Sequence, residues 1–217
     1  MSFDLQPRLK GELIELRPLT PEDWDDLFTV ASDPFIWEQH PENDRCKEDV
    51  FKVFFKEALD SGGTFVVIDN KTQQIIGSTR FHGYDSEKSE IEIGWTFLAR
   101  EYWGGRYNRE MKQLMLAHAF NFVESVVFFV DENNIRSQKA TEKIGAIRNG
   151  LAKKVYGNRP ASLNVKCNQE SRKLIDVVVE KRYACIVYFR RRDRDKHHYR
   201  PIFLTSIRFG TELPRPS

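Results

Sequence analysis

Apolar positions change their period several times along the chain, and each change marks an element. Leu13 to Leu16, ahead of Arg17-Pro18, reads as a short first strand. Thr20-Pro21-Glu22-Asp23 has the chemistry of a helix start: a hydroxyl at the N-cap, proline at the first helical position and acids in the first turn. This helix is expected to run to Ala31 and to end near Ser32-Asp33-Pro34, before an aromatic and polar loop from Phe35 to His40. Val50, Phe51, Phe54, Phe55, Ala58 and Leu59 then form one helical stripe between Lys47 and Leu59, closed by Ser61-Gly62-Gly63.

The period then falls to two. Thr64 to Asp69 and Ile75 to Tyr84 read as a hairpin around Asp69-Asn70-Lys71-Thr72. Ser89 to Leu98 alternates, with Ile91, Ile93, Trp95 and Phe97 expected on one face and Glu90, Glu92, Gly94 and Thr96 on the other. A helical pattern follows from about Asn108 to Phe122, and Val126 to Val130 is apolar throughout, as in a strand buried on both sides. Asn134 to Gly145 reads as a helix, Ala146 to Val155 as a strand, and Gly157-Asn158-Arg159-Pro160 as a turn. The order is that of an α/β protein with a mixed, mostly antiparallel central sheet flanked by helices. A final strand is needed to complete it, with Ile175 to Val179 and Ala184 to Phe189 as the two candidates.

Composition sharpens this picture in two places. The net charge of +2 is a balance: residues 1–150 carry 18 Lys+Arg against 26 Asp+Glu, and residues 151–217 carry 16 against 6. The basic run Arg190 to Arg200 is read first as a solvated tail and second as a contact for a phosphate-rich partner such as RNA or the ribosome. The expected division is therefore residues 1–160 as the main domain and 161–217 as the closing strand plus a basic extension. Cys46, Cys167 and Cys185 are scattered and lack metal-ligand spacing, so no metal is expected. No stretch approaches the roughly 20 apolar residues of a membrane span, and the start lacks a signal-peptide pattern. A cytoplasmic protein without membrane contact is the expectation, and self-association into a homodimer stays open.

The chemistry concentrates at Tyr102-Trp103-Gly104-Gly105-Arg106-Tyr107-Asn108. Paired glycines between a strand and a helix let backbone approach a ligand closely. The helix's first N–H groups and its dipole then favour an anion. Arg100, Arg106 and Arg109 add positive charge around it. A plain Gly-Gly turn is the competing reading.

Three motifs in order carry a resemblance: Glu92-Ile93-Gly94-Trp95, Tyr102 to Tyr107, and Asn134-x-x-Ser137 with Glu142-Lys143-Ile144-Gly145. Over roughly Leu9 to Val155 the chain resembles the GNAT superfamily of acetyl-CoA-dependent N-acetyltransferases, in particular its ribosomal-protein N-acetyltransferase-like branch. The resemblance implies a GNAT-like fold and acetyl transfer from acetyl-CoA to an amine, either a protein N-terminus or a small molecule. It implies coenzyme A pyrophosphate contacts from Gly104, Gly105, Arg106, Tyr107 and Asn108, with Arg100 beside them. It also implies pantetheine contacts from Phe97, Leu98 and Asn134, with Ser137 beside the sulfur. Glu92 is the first candidate for the base that deprotonates the amine and His40 the second; Ser137 is the candidate donor to the departing sulfur. Trp37, His40 and Trp95 are the candidate acceptor-binding residues, with a core role open for Trp95. Three positions depart from the family's usual residues: Glu101 and Arg106 in the loop, and Thr141 where many relatives have tyrosine. A non-catalytic module of the same fold, binding coenzyme A or RNA, is the alternative function.

Overall fold

The structure, a computed structural model, describes residues 2–131, 133–156 and 159–168, with residues 147–168 described by backbone alone. The two apolar runs after residue 174, the basic run at 190–200 and Cys185 lie outside the described residues. Eight strands make one sheet: β1 (Leu9–Lys10), β2 (Ile14–Pro18), β3 (Thr64–Asp69), β4 (Ile75–Asp85), β5 (Glu90–Leu98), β6 (Ser125–Val130), β7 (Ile147–Tyr156) and β8 (Arg159–Asn168). Their spatial order is β1-β2-β3-β4-β5-β6-β8-β7. Every adjacent pair is antiparallel except β5 with β6. The helices are α1 (Trp24–Ala31), α2 (Pro34–Trp37), α3 (Glu48–Asp60), α4 (Arg106–Ala119) and α5 (Ile135–Glu142).

The strand that completes the sheet is β8, which pairs with β6 from Ser125↔Asn168 to Val130↔Leu163. It is neither of the two apolar runs expected for that place. Arg159 and Pro160, read as part of a turn, already pair with Tyr156 and Val155, so a boundary at residue 160 falls inside the β7–β8 hairpin. The aromatic loop after Asp33 holds the short helix α2, because the Asp33 carboxylate accepts from Phe35 N–H at 3.0 Å and Pro34 takes the first helical position.

Two cores lie on the two faces of the sheet. On one, Met111, Met115, Leu116 and Ala119 of α4 pack on Ile14, Leu16, Phe65, Val67, Phe81, Ile91, Ile93 and Val126. On the other, Leu27 and Ala31 of α1, Ile36 and Trp37 of α2 and Phe51, Phe54 and Ala58 of α3 pack on Val66 and Phe97. Strand alternation produces this division: Phe65 and Val67 point one way and Val66 the other. Burying each large apolar side chain contributes roughly 1.5–3 kcal/mol.

Polar anchors fix the helices on this frame. Asp23 receives both Arg17 guanidinium nitrogens, at 2.7 and 2.5 Å, and Thr20 N–H at 2.8 Å. Burial works to raise its carboxyl, and these donors outweigh it and leave the group below its ordinary value. The Glu110 carboxylate of α4 accepts the backbone N–H groups of Glu12, Leu13 and Ile14 at 2.7, 2.8 and 3.1 Å. A Cβ at Gly11 would lie 2.6 Å from the carboxylate carbon of Glu110, so a larger residue there would have to displace that carboxylate. His118, on the apolar side of α4, contacts the Asp4 carbonyl through Nε2 at 2.8 Å and packs its ring on Phe3. Among the described residues, no helix is long and apolar enough to cross a membrane.

Candidate active site

β5 and β6 pair only at Glu90↔Ser125, Ile91↔Val126 and Glu92↔Val127. Beyond these they part, because β5 follows β4 as far as Gly77↔Leu98 while β6 follows β8. A cavity of about 450 Å³ opens between them, lined by Ile93 to Leu98 on one side and Phe128 to Asp131 on the other.

The wall on the β5 side departs from simple alternation. Ser78 pairs with Phe97 and Arg80 with Gly94, so Thr79 faces the two residues Trp95 and Thr96. This is a β-bulge, with Trp95 at φ +50°. It corrects the expected faces: Ile91 and Ile93 point into the α4-side core, whereas Trp95 and Phe97 point to the α1–α3 side. The extra residue moves Trp95 onto the cavity wall. An uninterrupted alternation would have set it with Ile93.

One end of the cavity is made largely by backbone. After a single turn at Arg100–Tyr102, Gly104 adopts φ +69° with no heavy atom within 4 Å of where a Cβ would be. Gly105 is the N-cap of α4, so no side chain caps that helix. Its first-turn N–H groups lack intrahelical partners and carry the positive end of the dipole. Gly104 and Asn108 line the cavity. The side chains of the neighbouring candidates go elsewhere. Arg100 is bound to the Asp33 carboxylate and lies over the Phe35 ring at 4.8 Å. Arg106 is 71% exposed and 3.8 Å from Glu12, and the Tyr107 ring meets Tyr102 edge-on at 4.7 Å. Only backbone remains for residues 105 to 107 to offer.

Asn134 caps α5, its Oδ1 accepting Ser137 N–H at 3.0 Å, and both residues line the cavity. The Thr141 hydroxyl, also on the wall, donates within its own helix to the Ser137 and Gln138 carbonyls at 3.2 and 2.9 Å. Phe97 and Leu98 line the cavity too, and the Leu98 carbonyl accepts Trp103 Nε1–H at 2.8 Å. Arg136 ties this end together: it lies over the Trp103 ring at 3.9 Å and donates to the Ile36 carbonyl at 2.7 Å.

The opposite end is made by side chains. Trp37, buried and donating Nε1–H to the Ala31 carbonyl at 2.7 Å, lines it with His40, Arg45 and Trp95. His40 Nδ1 accepts Glu42 N–H at 3.0 Å. Burial, and then the Arg45 guanidinium, push the imidazole down to about 3. His40 is therefore neutral at pH 7 and lacks the basicity of a proton acceptor. Glu92 is 4% exposed and is not on the wall itself. Its Oε1 lies 3.1 Å from where a Cβ of the wall residue Gly94 would be.

Lys112 was not singled out by sequence. It is 5% exposed, lines the cavity, and donates to Thr96 Oγ1 at 2.6 Å. Burial pushes its ammonium down to about 7. Its signal in the sequence was a lysine between Met111 and Met115, one turn after Asn108.

Comparison with known proteins points to one family and one fold. Residues 14–147 match the family described as acetyltransferase (GNAT) domain. A GNAT-family acetyltransferase from Bacillus anthracis is 24% identical with a TM-score of 0.63, over 76% of this chain and 99% of that one. Mycobacterium smegmatis RimJ, solved in complex with CoA-disulfide, is 17% identical with a TM-score of 0.57, over 79% and 93%. Spermidine N-acetyltransferase from Vibrio cholerae, solved with CoA and spermine, is 17% identical with a TM-score of 0.57, over 74% and 98%. Among curated proteins none matches. By its match over residues 14–147, the chain belongs to the GNAT acetyltransferase family.

Proposed function

We propose that the protein moves an acetyl group from acetyl-CoA to an amine by direct attack, with both substrates held together in the one cavity. The observation that carries this reading is the meeting, in a single space, of a backbone-built end with Gly104, Asn108, Asn134 and Ser137 and a side-chain-built end with Trp37, His40 and Trp95. The fit to coenzyme A rests on the open space at Gly104, the N-terminus of α4 without a side-chain cap, and the parting of β5 from β6. RimJ and the spermidine enzyme, both solved with coenzyme A compounds, lend support through their shared fold.

Acetyl-CoA supplies a thioester carbonyl open to attack. The first turn of α4, from Gly105 through Arg106 and Tyr107 to Asn108, directs backbone donors at the pyrophosphate. Backbone groups at Phe97 and Leu98, with the Asn134 side chain, hold the pantetheine arm. An N–H of this strand also polarises the carbonyl, an effect typically worth about 10²–10³ in rate. Glu92 takes the amine proton through a water at Gly94, and Ser137 donates a hydrogen bond to the departing sulfur. Arg100 acts indirectly, by fixing the loop to Asp33.

Thr141 favours a second reading. Its hydroxyl is committed within α5, so the family's usual acid has no counterpart there. The module reading then holds coenzyme A without turnover. Free-thiol release from acetyl-CoA across a panel of amines and peptides separates the two. Turnover with any amine supports the enzyme; tight coenzyme A binding with no turnover supports the module.

A further inference from the structure

The side-chain-built end of the cavity has one buried guanidinium on its wall and a second behind it. Arg45, 7% exposed, is on the wall; it is bound to Glu42, sits 3.4 Å from His40 Nε2 and lies over the Phe54 ring at 4.6 Å. Arg80, 3% exposed, lies one layer behind, over the Trp95 ring at 4.6 Å and the Phe54 ring at 5.8 Å. Its Nε and Nη2 are buried and find no hydrogen-bond partner among the described residues.

Such a group needs an explanation. A buried donor left unmade costs about 1–3 kcal/mol, more when charged, and native structures keep few of them without a role. Neutralisation does not resolve it. Burial, and then Arg45, lower the Arg80 guanidinium to about 10, against the opposing fields of Glu57 and Glu92, so it stays cationic at pH 7. The bulge at Trp95 places an indole over this cation and shields it from bulk water, which strengthens its field toward the cavity. Arg45 adds a second guanidinium, paired with Glu42, and the neutral His40 adds no charge.

We propose that the acceptor is an amine that also carries a carboxylate, received at the Arg45–Arg80 end while the amine lies at the Gly94 edge beside Glu92. The inference rests on the amine-acetylation reading above and narrows its substrate class to acidic amines, either free amino acids or acidic peptide N-termini. Polyamines are disfavoured, since a second cation meets two buried guanidiniums.

The full chain with acetyl-CoA tests this in matched pairs: glutamate against its diamide, and peptides beginning with Asp against Asn. The acidic member of each pair is expected to have a kcat/KM at least about tenfold higher, and spermidine to be the poorer amine. Arg45→Met and Arg80→Met should each bring the acid-to-amide ratio near one while leaving coenzyme A binding, measured by calorimetry, unchanged. A second readout needs no turnover: in the presence of coenzyme A, N-acetylglutamate should bind at least about tenfold tighter than its diamide. Equal kcat/KM values for acid and amide, or preference for spermidine, overturn the substrate class and leave amine acetylation standing. If no amine turns over, amine acetylation fails, and the calorimetric pair alone decides the carboxylate site; equal binding overturns it. If Arg80→Met does not fold, Arg45→Met and the wild-type pairs carry the decision.

Discussion

The two ends of the cavity are built by different means. The end around Gly104 uses main chain: a left-handed glycine, a helix start without a side-chain cap, and a strand pair that comes apart. The end around Trp37 uses the side chains of Trp37, His40, Arg45 and Trp95, with the imidazole held neutral and Arg80 one layer behind. A main-chain site survives changes of side chain. Glu101 and Arg106 depart from the family's usual residues in the loop, and the Arg106 side chain simply turns outward to Glu12. A side-chain site has no such tolerance.

Four measurements break or sharpen this contrast. The largest effect is expected at Lys112, on the cavity wall beside Thr96. Its folded value, about 7, lies below its ordinary unfolded value. The unfolded chain therefore binds more protons across the interval between them, and stability rises with pH over that window. Lys112→Met should flatten the rise and stabilise the protein at pH 7 by on the order of a few kcal/mol in urea unfolding. A difference between variant and wild type that is constant from pH 7 to about 10 contradicts the buried neutral lysine.

Next is Gly104→Val. Nothing crowds the position, so its effect is the left-handed backbone alone, on the order of 1–3 kcal/mol. Coenzyme A affinity should fall about tenfold or more, with the amine KM unmoved. Equal loss for both substrates would erase the distinction between the ends. Asn134 comes third. Asn134→Ala removes the cap and should lower stability by about 1 kcal/mol, while Asn134→Ser should restore the cap. If coenzyme A affinity returns with it, the residue is a cap and nothing more; continued loss assigns it the pantetheine contact. The smallest effect belongs to Arg106→Ala, for which coenzyme A affinity should change by less than about twofold at 150 mM salt. A tenfold loss would show that the side chain turns inward on binding.

The same contrast decides what was legible in the sequence. Gly104-Gly105 and Asn134-x-x-Ser137 are local codes, because a φ above zero and an N-cap each demand particular residues at fixed offsets. The strand and helix periods were legible for a similar reason, and the stripe Phe51, Phe54, Phe55, Ala58 lies where its spacing put it. The Trp95 bulge has no local code: it arises from how β5 registers against β4, so alternation set Trp95 on the wrong face. Strand β8 is hidden for a different reason. Ala161, Leu163, Val165 and Cys167 alternate with Ser162, Asn164, Lys166 and Asn168. That strand pattern is quieter than the continuous apolar runs that drew attention further on. Arg80 was invisible, since one arginine in a strand reads as surface until its neighbours Trp95 and Phe54 are brought to it across the fold.

The Glu110 clamp has one more consequence. With three consecutive main-chain donors converging on its carboxylate, α4 is pinned along its axis, and the stretch from Gly105 to Glu110 becomes a ruler of fixed length. Each residue adds about 1.5 Å of rise and about 100° of turn. One residue inserted between Arg106 and Glu110 therefore shifts and rotates the helix start while every cavity side chain keeps its identity. The site can be disarmed by an indel that no substitution scan of the cavity would reveal.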